Sequence, residues 1–256
     1  PYPFHPSCLC IALPAHEQPE KFVERLKNWK ENPVSEPNIE KWYQDIYIKG
    51  QTGGIAVQKP AFLRIRKRDQ DYDDTLDRKR IENELKLIPA SHRKMLEEKG
   101  VVIETGHEIS RYDRKNKVIQ VGKNPVQGEV VHEVGHAIET LMDLYKKPRF
   151  LEVLFSGILV EKITAEYLII DLEHSVPFVR LEHPEITKFI SPYQARVYPV
   201  DVDGNEIFVL TKGKKIFNAK VLGEYFSEGY RVFVESPEKL KAKDKALYEF
   251  ILELVR

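Results

Sequence analysis

Two stretches near the start of the chain carry apolar residues at helical spacing. Residues 19–31 and 37–47 each place an apolar side chain at about every third or fourth position. This spacing gathers the apolar side chains on one face and predicts two amphipathic helices. The aromatic residues on these faces, Phe22, Trp29 and Trp42, are more typical of core packing than of ligand binding.

The pattern changes further along the chain, where short apolar runs alternate with polar turns. Pro89 begins a short helical stretch that ends at Gly100. Residues 101–103 form an apolar run, and residues 117–121 alternate between polar and apolar positions. Both runs predict strands, and the first reads as buried. We therefore predict an α+β fold that is mainly helical and contains a small β-sheet.

The most distinctive stretch is residues 129–139, where apolar positions at helical spacing surround the pattern His-Glu-x-x-His. Four residues make just over one helical turn, so His132 and His136 lie on one face and can bind one zinc ion. Glu133 lies between them and can reach a water molecule held by that metal. The pattern thus combines a Lewis acid with a carboxylate that moves protons, which is what hydrolysis of a peptide bond requires. The alternative is a solvated helix face without metal.

The residues before this helix read as its start. Asn124 is predicted as the N-cap, Pro125 as the first helical residue and Gln127 as the capping-box partner. Gly135, between the histidines, leaves room for the close approach of another element. A strand shortly before such a helix is commonly the edge of the cleft in zinc peptidases, so we expect residues 117–121 to bind substrate as an added strand.

The composition of the chain limits the kinds of molecule that it is expected to bind. The 256 residues include 40 Lys and Arg and 40 Asp and Glu, so the formal net charge is zero. This balance favours neither nucleic acid nor a membrane surface as a partner. The longest apolar run, residues 151–160, is too short to span a bilayer. Cys8 and Cys10 lie too close in sequence to build a disulfide framework.

The charged stretch of residues 64–80 is interpreted as a solvated linker, because its basic and acidic side chains oppose one another. We place this linker at the end of a helical N-terminal extension, residues 16–84, and before a compact domain, residues 85–256. Residues 1–15 are interpreted as the tail of a preceding domain.

After the His helix, residues 150–172 predict one or two further helices. Residues 177–184 are interpreted as an irregular insertion, and residues 201–205 as the turn of a hairpin. The chain then closes with a predicted helix that begins at Ser236 and carries core residues up to Leu254.

A third metal ligand must come from elsewhere in the chain. Glu139 and Met142 occupy positions at which a metzincin needs Gly and His, so that class is excluded. A glutamate from a later helix is the remaining standard solution. The formally possible ligands are Glu166, Glu173, His174, His183 and Glu224.

Glu224 stands out among these residues because Glu228 shares its helix face. One of the two carboxylates can bind the metal while the other orients a histidine ligand. A surface pair of glutamates is the alternative interpretation.

The segments His132-Glu-Val-Gly-His136 and Glu224-Tyr-Phe-Ser-Glu228 together resemble the catalytic domain of anthrax toxin lethal factor and its relatives, which include the secreted proline-proline endopeptidases. The resemblance implies a zincin-like metallopeptidase domain of the gluzincin type, over roughly residues 85–256. It implies that His132, His136 and Glu224 bind Zn²⁺. Glu133 is then the general base, and Glu228 supports a histidine ligand.

The same family has a tyrosine, before its second motif, that stabilises the tetrahedral intermediate. The segment from Ser191 to Arg196 is similar to the family's Ser-Tyr-Gly-Arg, which makes Tyr193 the candidate and Tyr198 the fallback. The stretch between His136 and Glu224 is longer here than is usual in the family.

A second resemblance concerns the first ten residues. His5, Pro6, Cys8 and Cys10 look like the His-Pro-x-Cys-x-Cys end of the head-morphogenesis domain in phage minor capsid proteins. The lead also contains an incomplete zinc set, for which a free-thiol tail is the simpler interpretation. Because the chain begins at Pro1, we expect it to continue a longer polypeptide.

The two resemblances together lead us to expect a zinc endopeptidase that acts on a protein or peptide substrate. Its context would be a phage- or prophage-encoded effector, toxin or processing domain, either associated with the virion and its head proteins or delivered into a target cell. The alternative is a virion structural or interaction module whose zinc site is structural or inactive. The carboxylate of Glu133 favours the enzyme, because a purely structural zinc site normally closes all four positions with protein groups.

Overall fold

A computed structural model describes residues 19–32, 35–42, 63–171, 178–198 and 206–255. The chain divides into two compact units, residues 1–60 and 61–256. In the first unit, helix α1 (Pro19–Glu31) confirms its prediction, and helix α2 (Pro37–Trp42) confirms the start of the second. Residues 43–47, the rest of that predicted helix, lie outside the described part of the chain.

The second unit begins with a four-stranded sheet. The strands are β1 (Arg64–Lys67), β2 (Val102–His107), β3 (Arg111–Asp113) and β4 (Val118–Gly122). Their order is β1-β2-β4-β3, in which β3 alone runs antiparallel to its neighbour. The expected edge strand at 117–121 is therefore wrong: β4 lies inside the sheet, and the short β3, which the sequence pattern did not predict, forms the edge.

The predicted linker at residues 64–80 is also wrong. It contains β1 and the start of helix α3 (Thr75–Leu87), and the predicted boundary after residue 84 falls within that helix. Asp74 in this stretch makes specific contacts. Its buried carboxylate accepts hydrogen bonds from Thr105 at 2.7 Å and from Arg78 at 2.8 Å. The many charged residues of this stretch therefore belong to a regular strand and helix rather than to a linker.

Helix α4 (Ala90–Glu98) confirms the short helix before β2. The His helix, α5 (Glu129–Leu141), begins later than predicted. Asn124 has a positive φ of 54° and lies before the helix, and Gly128 is the N-cap residue. Asn124 and Pro125 therefore belong to the turn that precedes α5.

The middle of the unit differs most from expectation. Residues 150–172 contain one helix, α6 (Pro148–Phe155), and then a strand, β5 (Leu168–Asp171). The predicted insertion at 177–184 contains strand β6 (Phe178–Leu181), which joins β5 and the two-residue β7 (Arg196–Val197) in an antiparallel sheet.

A second antiparallel pair, β8 (Phe208–Thr211) and β9 (Lys214–Phe217), turns at Lys212 and Gly213. The hairpin predicted at 201–205 lies outside the described residues. Strands β5 and β6 thus lie in stretches whose patterns predict helix and irregular insertion, because a run of a few apolar residues fits several structures.

Three helices close the unit: α7 (Tyr225–Glu235), α8 (Pro237–Lys243) and α9 (Lys245–Val255). The single closing helix of the prediction is thus broken at Asp244, whose side chain accepts a hydrogen bond from the Leu247 backbone. The core is continuous from α4 and the four-stranded sheet to α9. No described helix has the length and apolarity needed to cross a bilayer. The α+β fold class is confirmed, although the described residues form three sheets rather than one.

Candidate metal centre

The structure brings together three side chains of the predicted site. The Nε2 atoms of His132 and His136 lie 3.0 Å and 3.1 Å from the same oxygen, Oε2 of Glu224. One possible ligand atom from each residue lies within 4.8 Å of the others. His132 and Glu224 are buried, and His136 is nearly so. These residues could hold a metal ion.

The helix that carries the histidines is held at its N-terminus by a distant carboxylate. Glu84 of α3 accepts backbone hydrogen bonds from Gly128 at 2.9 Å, Val130 at 3.1 Å and Val131 at 3.3 Å. A carboxylate here satisfies backbone N–H groups that the helix leaves unpaired and complements its positive end. Glu84 replaces the local cap that the sequence had suggested at Asn124.

A close helix crossing brings the third ligand to the histidines. A Cβ atom added to Gly135 would lie 2.7 Å from Cα of Ser227, in the first turn of α7. Only glycine therefore permits this approach of α5 and α7. Glu224 immediately precedes α7 as its N-cap residue, so the crossing delivers its carboxylate to the face shared by His132 and His136. The predicted role of Gly135 is confirmed.

The electrostatics of the three side chains are mutually dependent. Burial by itself raises the pKa of Glu224, but the hydrogen bonds and charges of His132 and His136 outweigh burial and hold this pKa well below its usual range. Burial likewise disfavours the charged form of both histidines, yet their bonds to Glu224 raise both pKa values. A cation at this point would replace protons as the positive charge that Glu224 faces.

Glu133 lies beside the three ligands but is not one of them. Its side chain is buried, and its Oε2 has no hydrogen-bond partner among the residues that the structure describes. Burial raises the pKa of Glu133, while the charges of His136 and His132 and a backbone hydrogen bond from Tyr112 of β3 lower it. An unpartnered buried carboxylate oxygen is costly unless something else, such as water or substrate, uses it.

Glu228 supports His132 from the other side. Its Oε2 lies 3.4 Å from Nδ1 of His132, the ring nitrogen opposite to the one that faces Glu224. Ser191 at 3.0 Å and Arg231 at 2.8 Å donate to the other oxygen of Glu228. Burial raises the pKa of Glu228, but His132 and Arg231 outweigh it and hold the pKa at about 2. A carboxylate in this position fixes the orientation of a histidine ligand.

The two candidate tyrosines have different contacts. The hydroxyl of Tyr198 donates a hydrogen bond to Oε1 of Glu224, the oxygen that the histidines do not approach. Its ring packs against Gly223, where an added Cβ would lie 2.7 Å from it. The ring of Tyr193 instead lies edge to face against His132, with 5.5 Å between centroids. Burial and the charge of Glu224 raise the pKa of Tyr193 to about 12, so it stays protonated near neutral pH.

Glu139 is a buried carboxylate near the candidate metal centre that the sequence did not reveal. The sequence analysis uses Glu139 only to exclude the metzincin pattern. Glu139 is buried one turn beyond His136, its Oε2 has no partner within the described part of the chain, and the nearest cation is Arg114 at 3.5 Å. Burial raises the pKa of Glu139 to about 7. Its position three residues after His136, on the helix face that carries both histidines, was the available signal.

The two remaining ligand candidates that the structure describes, Glu166 and His183, are not brought to this group. Glu166 accepts a hydrogen bond from Thr164 on the surface, and Nδ1 of His183 accepts one from the backbone of Glu185. Glu173 and His174 lie outside the described residues, as do His5, Cys8 and Cys10 of the N-terminal lead.

The residues present fit a divalent transition metal on three grounds. Two imidazoles and one carboxylate form a donor set that suits zinc. All three donor atoms converge at one point and are buried, unlike the exposed acidic clusters that occur without metal. Glu133, whose Oε2 lacks a partner among the described residues, is close enough to the two histidines and Glu224 to interact with their charges.

Comparison with known proteins adds little to this geometry. No protein-family model matches the chain, and no curated protein does. Among solved structures, the PRO-PRO endopeptidase from Paenibacillus alvei is similar, with 16% sequence identity and a TM-score of 0.45. The similarity covers 77% of this chain and 99% of that one. The function of this chain is therefore inferred from its own site.

Proposed function

We propose that the chain is a zinc-dependent endopeptidase that hydrolyses peptide bonds in a protein substrate. The observation that carries the proposal is the buried group of His132, His136 and Glu224 beside the unpartnered carboxylate of Glu133. A structural metal site does not need a buried carboxylate that serves neither as ligand nor as support for a ligand. The resemblance of both motifs to the lethal factor family supports the same reaction class.

His132, His136 and Glu224 would hold the zinc ion. When bound, zinc supplies a Lewis acid that polarises the scissile carbonyl and lowers the pKa of water. Glu133 accepts a proton from the attacking water and returns it to the nitrogen of the leaving amine, so the same carboxylate serves as base and then as acid. Burial of Glu133 suits this role because it raises the affinity of the carboxylate for a proton.

Tyr193 is proposed as the donor that stabilises the oxyanion of the tetrahedral intermediate. Its hydroxyl remains protonated near neutral pH, and its ring is fixed against His132. A preorganised donor contributes most where charge develops during the reaction. Tyr198, the fallback, already donates to Glu224 and is proposed to orient that ligand instead.

The outer edge of β3 is the proposed docking strand for an extended peptide. Among the described strands, only β4 pairs with β3, so no described strand covers the other edge of β3. Tyr112 of this strand lies close enough to Glu133 for its backbone to lower the pKa of that carboxylate, which supports a docking edge near the proposed general base. An extended substrate could add to this edge as a further strand.

The site would lie within a zincin-like domain that corresponds to the second compact unit, residues 61–256. A phage-particle or toxin role remains part of the proposal and is supported by the resemblance of His5, Pro6, Cys8 and Cys10. Phage head proteins would then be partners or substrates. The virion structural or interaction module with an inactive site remains the alternative.

The variant Glu133→Gln tests the proposal. It should bind one zinc ion per chain, as the unmutated protein does, and should cleave a peptide library at least about 100-fold more slowly because the proton acceptor is lost. Zinc is measured by atomic absorption and cleavage by mass spectrometry. Glu152→Gln, an exposed residue of α6, is the matched control and should behave as wild type. Zinc binding without cleavage by the unmutated chain would favour the alternative, and retained turnover in Glu133→Gln would remove the general base.

A further inference from the structure

The guanidinium of Arg196 lies among three aromatic rings beside the metal centre. Its central carbon is 4.5 Å from the ring centroid of Phe178, 5.2 Å from that of Tyr198 and 5.6 Å from that of Tyr193. Such contacts with ring faces stabilise a cation without neutralising its charge. The rings therefore hold the guanidinium of Arg196 in place.

Among the residues that the structure describes, Arg196 has no carboxylate partner. Its Nε atom is buried without an acceptor, and no described carboxylate lies within ion-pair distance of its guanidinium. Arg231, on the far side of Glu228, shows the contrast, because its guanidinium is used fully by Glu228 and Glu235. A guanidinium presents five donors, and a buried donor without an acceptor is costly. Within the described part of the chain, the guanidinium of Arg196 is thus a cation without an anionic partner.

The position of Arg196 relates it to the reaction. Tyr198 touches both Arg196 and the ligand Glu224, and Tyr193 touches both Arg196 and the ligand His132. One aromatic ring, Tyr198 or Tyr193, therefore separates the guanidinium of Arg196 from Glu224 and from His132, respectively. Residues of an extended peptide are spaced by about 3.3 Å, so this distance corresponds to a substrate position close to the scissile bond.

We propose that Arg196 is a specificity-determining residue that binds a carboxylate of the peptide substrate close to the bond that is cleaved. The carboxylate belongs either to an Asp or Glu side chain or to the C-terminus of the substrate, and both offer the planar pair of oxygens that a guanidinium binds with two hydrogen bonds. This inference rests on the proposed peptidase function and adds a substrate class to it.

The test uses short peptides from a quenched-fluorescence library. One set is amidated at the C-terminus and carries a single Glu at each position in turn, and each peptide is paired with its Gln counterpart. A second set compares free and amidated C-termini. Cleavage is measured with the zinc-loaded wild type, and binding is measured by calorimetry with the zinc-loaded Glu133→Gln variant. Binding thereby gives a readout that is independent of turnover.

We expect the wild type to prefer one acidic peptide over its amide counterpart by about 10-fold or more in both kcat/KM and Kd. Arg196→Met, which keeps an apolar stem of similar length among the rings, should remove this preference, so that the ratio of the acidic peptide to its amide counterpart falls to about 1 in both kcat/KM and Kd. Preference for an internal Glu identifies a side-chain carboxylate, and preference for the free terminus identifies the terminal one.

Arg180→Met is the matched control, because Arg180 is the register neighbour of Arg196 across β6 and β7 and pairs with Glu182. It removes the same charge and should keep the acid preference. An equal loss of preference in both variants would overturn the proposal, since it would show a general charge effect. Equal cleavage of neutral and acidic peptides by the wild type would also overturn the role of Arg196, but it would leave the proposed peptidase function intact. A wild type that cleaves no peptide would remove both proposals.

Discussion

The metal centre has two sides that are built in different ways. The helical side comprises His132, Glu133 and His136 on α5 with Glu224 at the start of α7, where the helical period and one close crossing set every distance. The segment side comprises residues 191–198, which form a single 3-10 turn and the two-residue strand β7. Rigid helices therefore supply the ligands, and a short irregular segment supplies the groups around them.

The two sides also differ in what stabilises them. The helical side depends on contacts to the backbone. Glu84 accepts hydrogen bonds from the N–H groups at the start of α5, and Gly135 lies close to the backbone of Ser227. The segment side depends on side chains, through the ring contacts of Arg196 and the hydroxyl of Tyr198. We infer that substitutions on the segment side change chemistry with little change in stability, whereas substitutions on the helical side threaten the fold.

Tyr193→Phe should have the largest effect and would sharpen this comparison. Loss of a donor to the oxyanion is expected to lower kcat by about 100- to 1000-fold. Zinc content and the free energy of unfolding should stay at wild-type values, because Tyr193 donates to no ligand. Cleavage kinetics, metal analysis and urea unfolding are the measurements. A variant with normal kcat would remove the assignment of Tyr193 as the donor.

Tyr198→Phe should affect the metal more than the reaction. Without the hydroxyl, Oε1 of Glu224 loses its hydrogen bond, and zinc affinity should fall by about 10- to 100-fold. Saturating zinc should then restore most of the activity, which it would not do for Tyr193→Phe. Competition with a zinc-sensitive chelating dye measures the affinity. If Tyr198→Phe kept its zinc affinity but lost much of its kcat, Tyr198 rather than Tyr193 would be the oxyanion donor.

The same contrast explains what the sequence could predict. The helical period placed His132 and His136 on one face and Glu224 beside Glu228, so the convergence of these residues needed only local rules and one tertiary contact. The ring contacts of Arg196 and the placement of Tyr198 against Gly223 depend on approaches that no local period encodes. The edge strand β3 was missed because its three residues are too few to show an alternating pattern.

Gly135→Ala should break the helical side. Alanine in a helix normally stabilises by about 1 kcal/mol relative to glycine. Here the added methyl would meet the backbone of Ser227, so we expect the free energy of unfolding to fall by about 1–3 kcal/mol. Gly213→Ala, where the methyl would meet no atom within 4 Å, is a control for the methyl itself, although its positive φ adds some strain. A variant at Gly135 that is as stable as wild type would contradict the crossing.

The smallest effect concerns pH and the anchoring of α7. His92 of α4 is buried, with Nδ1 at 2.9 Å from the hydroxyl of Tyr230 and Nε2 at 3.1 Å from the carbonyl of Leu254. Burial lowers the pKa of His92, although the bond to Leu254 opposes this. The folded chain therefore binds its proton less readily than the unfolded chain. This contribution to stability is complete above the unfolded pKa of about 6.5 and is lost as the pH falls toward the folded pKa.

His92→Gln removes the titrating group while keeping one donor and one acceptor. Its free energy of unfolding, measured by urea between neutral and mildly acidic pH, should fall less steeply on acidification than that of the wild type. Comparison of the two chains at equal zinc concentration cancels the titration of the other histidines. Parallel pH profiles would show that His92 titrates in the same way in both states.

The separation of the ligands along the chain has a consequence for biosynthesis. His132 and Glu224 are 92 positions apart, and the segment that carries Tyr193 and Tyr198 lies between them. A nascent chain that has exposed α5 alone therefore offers two ligands out of three and lacks the support of Glu228. High-affinity metal uptake is coupled to folding of the complete site. The ribosome must release Glu224 and Glu228 before that site can form, so a chain that pauses between α5 and α7 should bind metal only weakly.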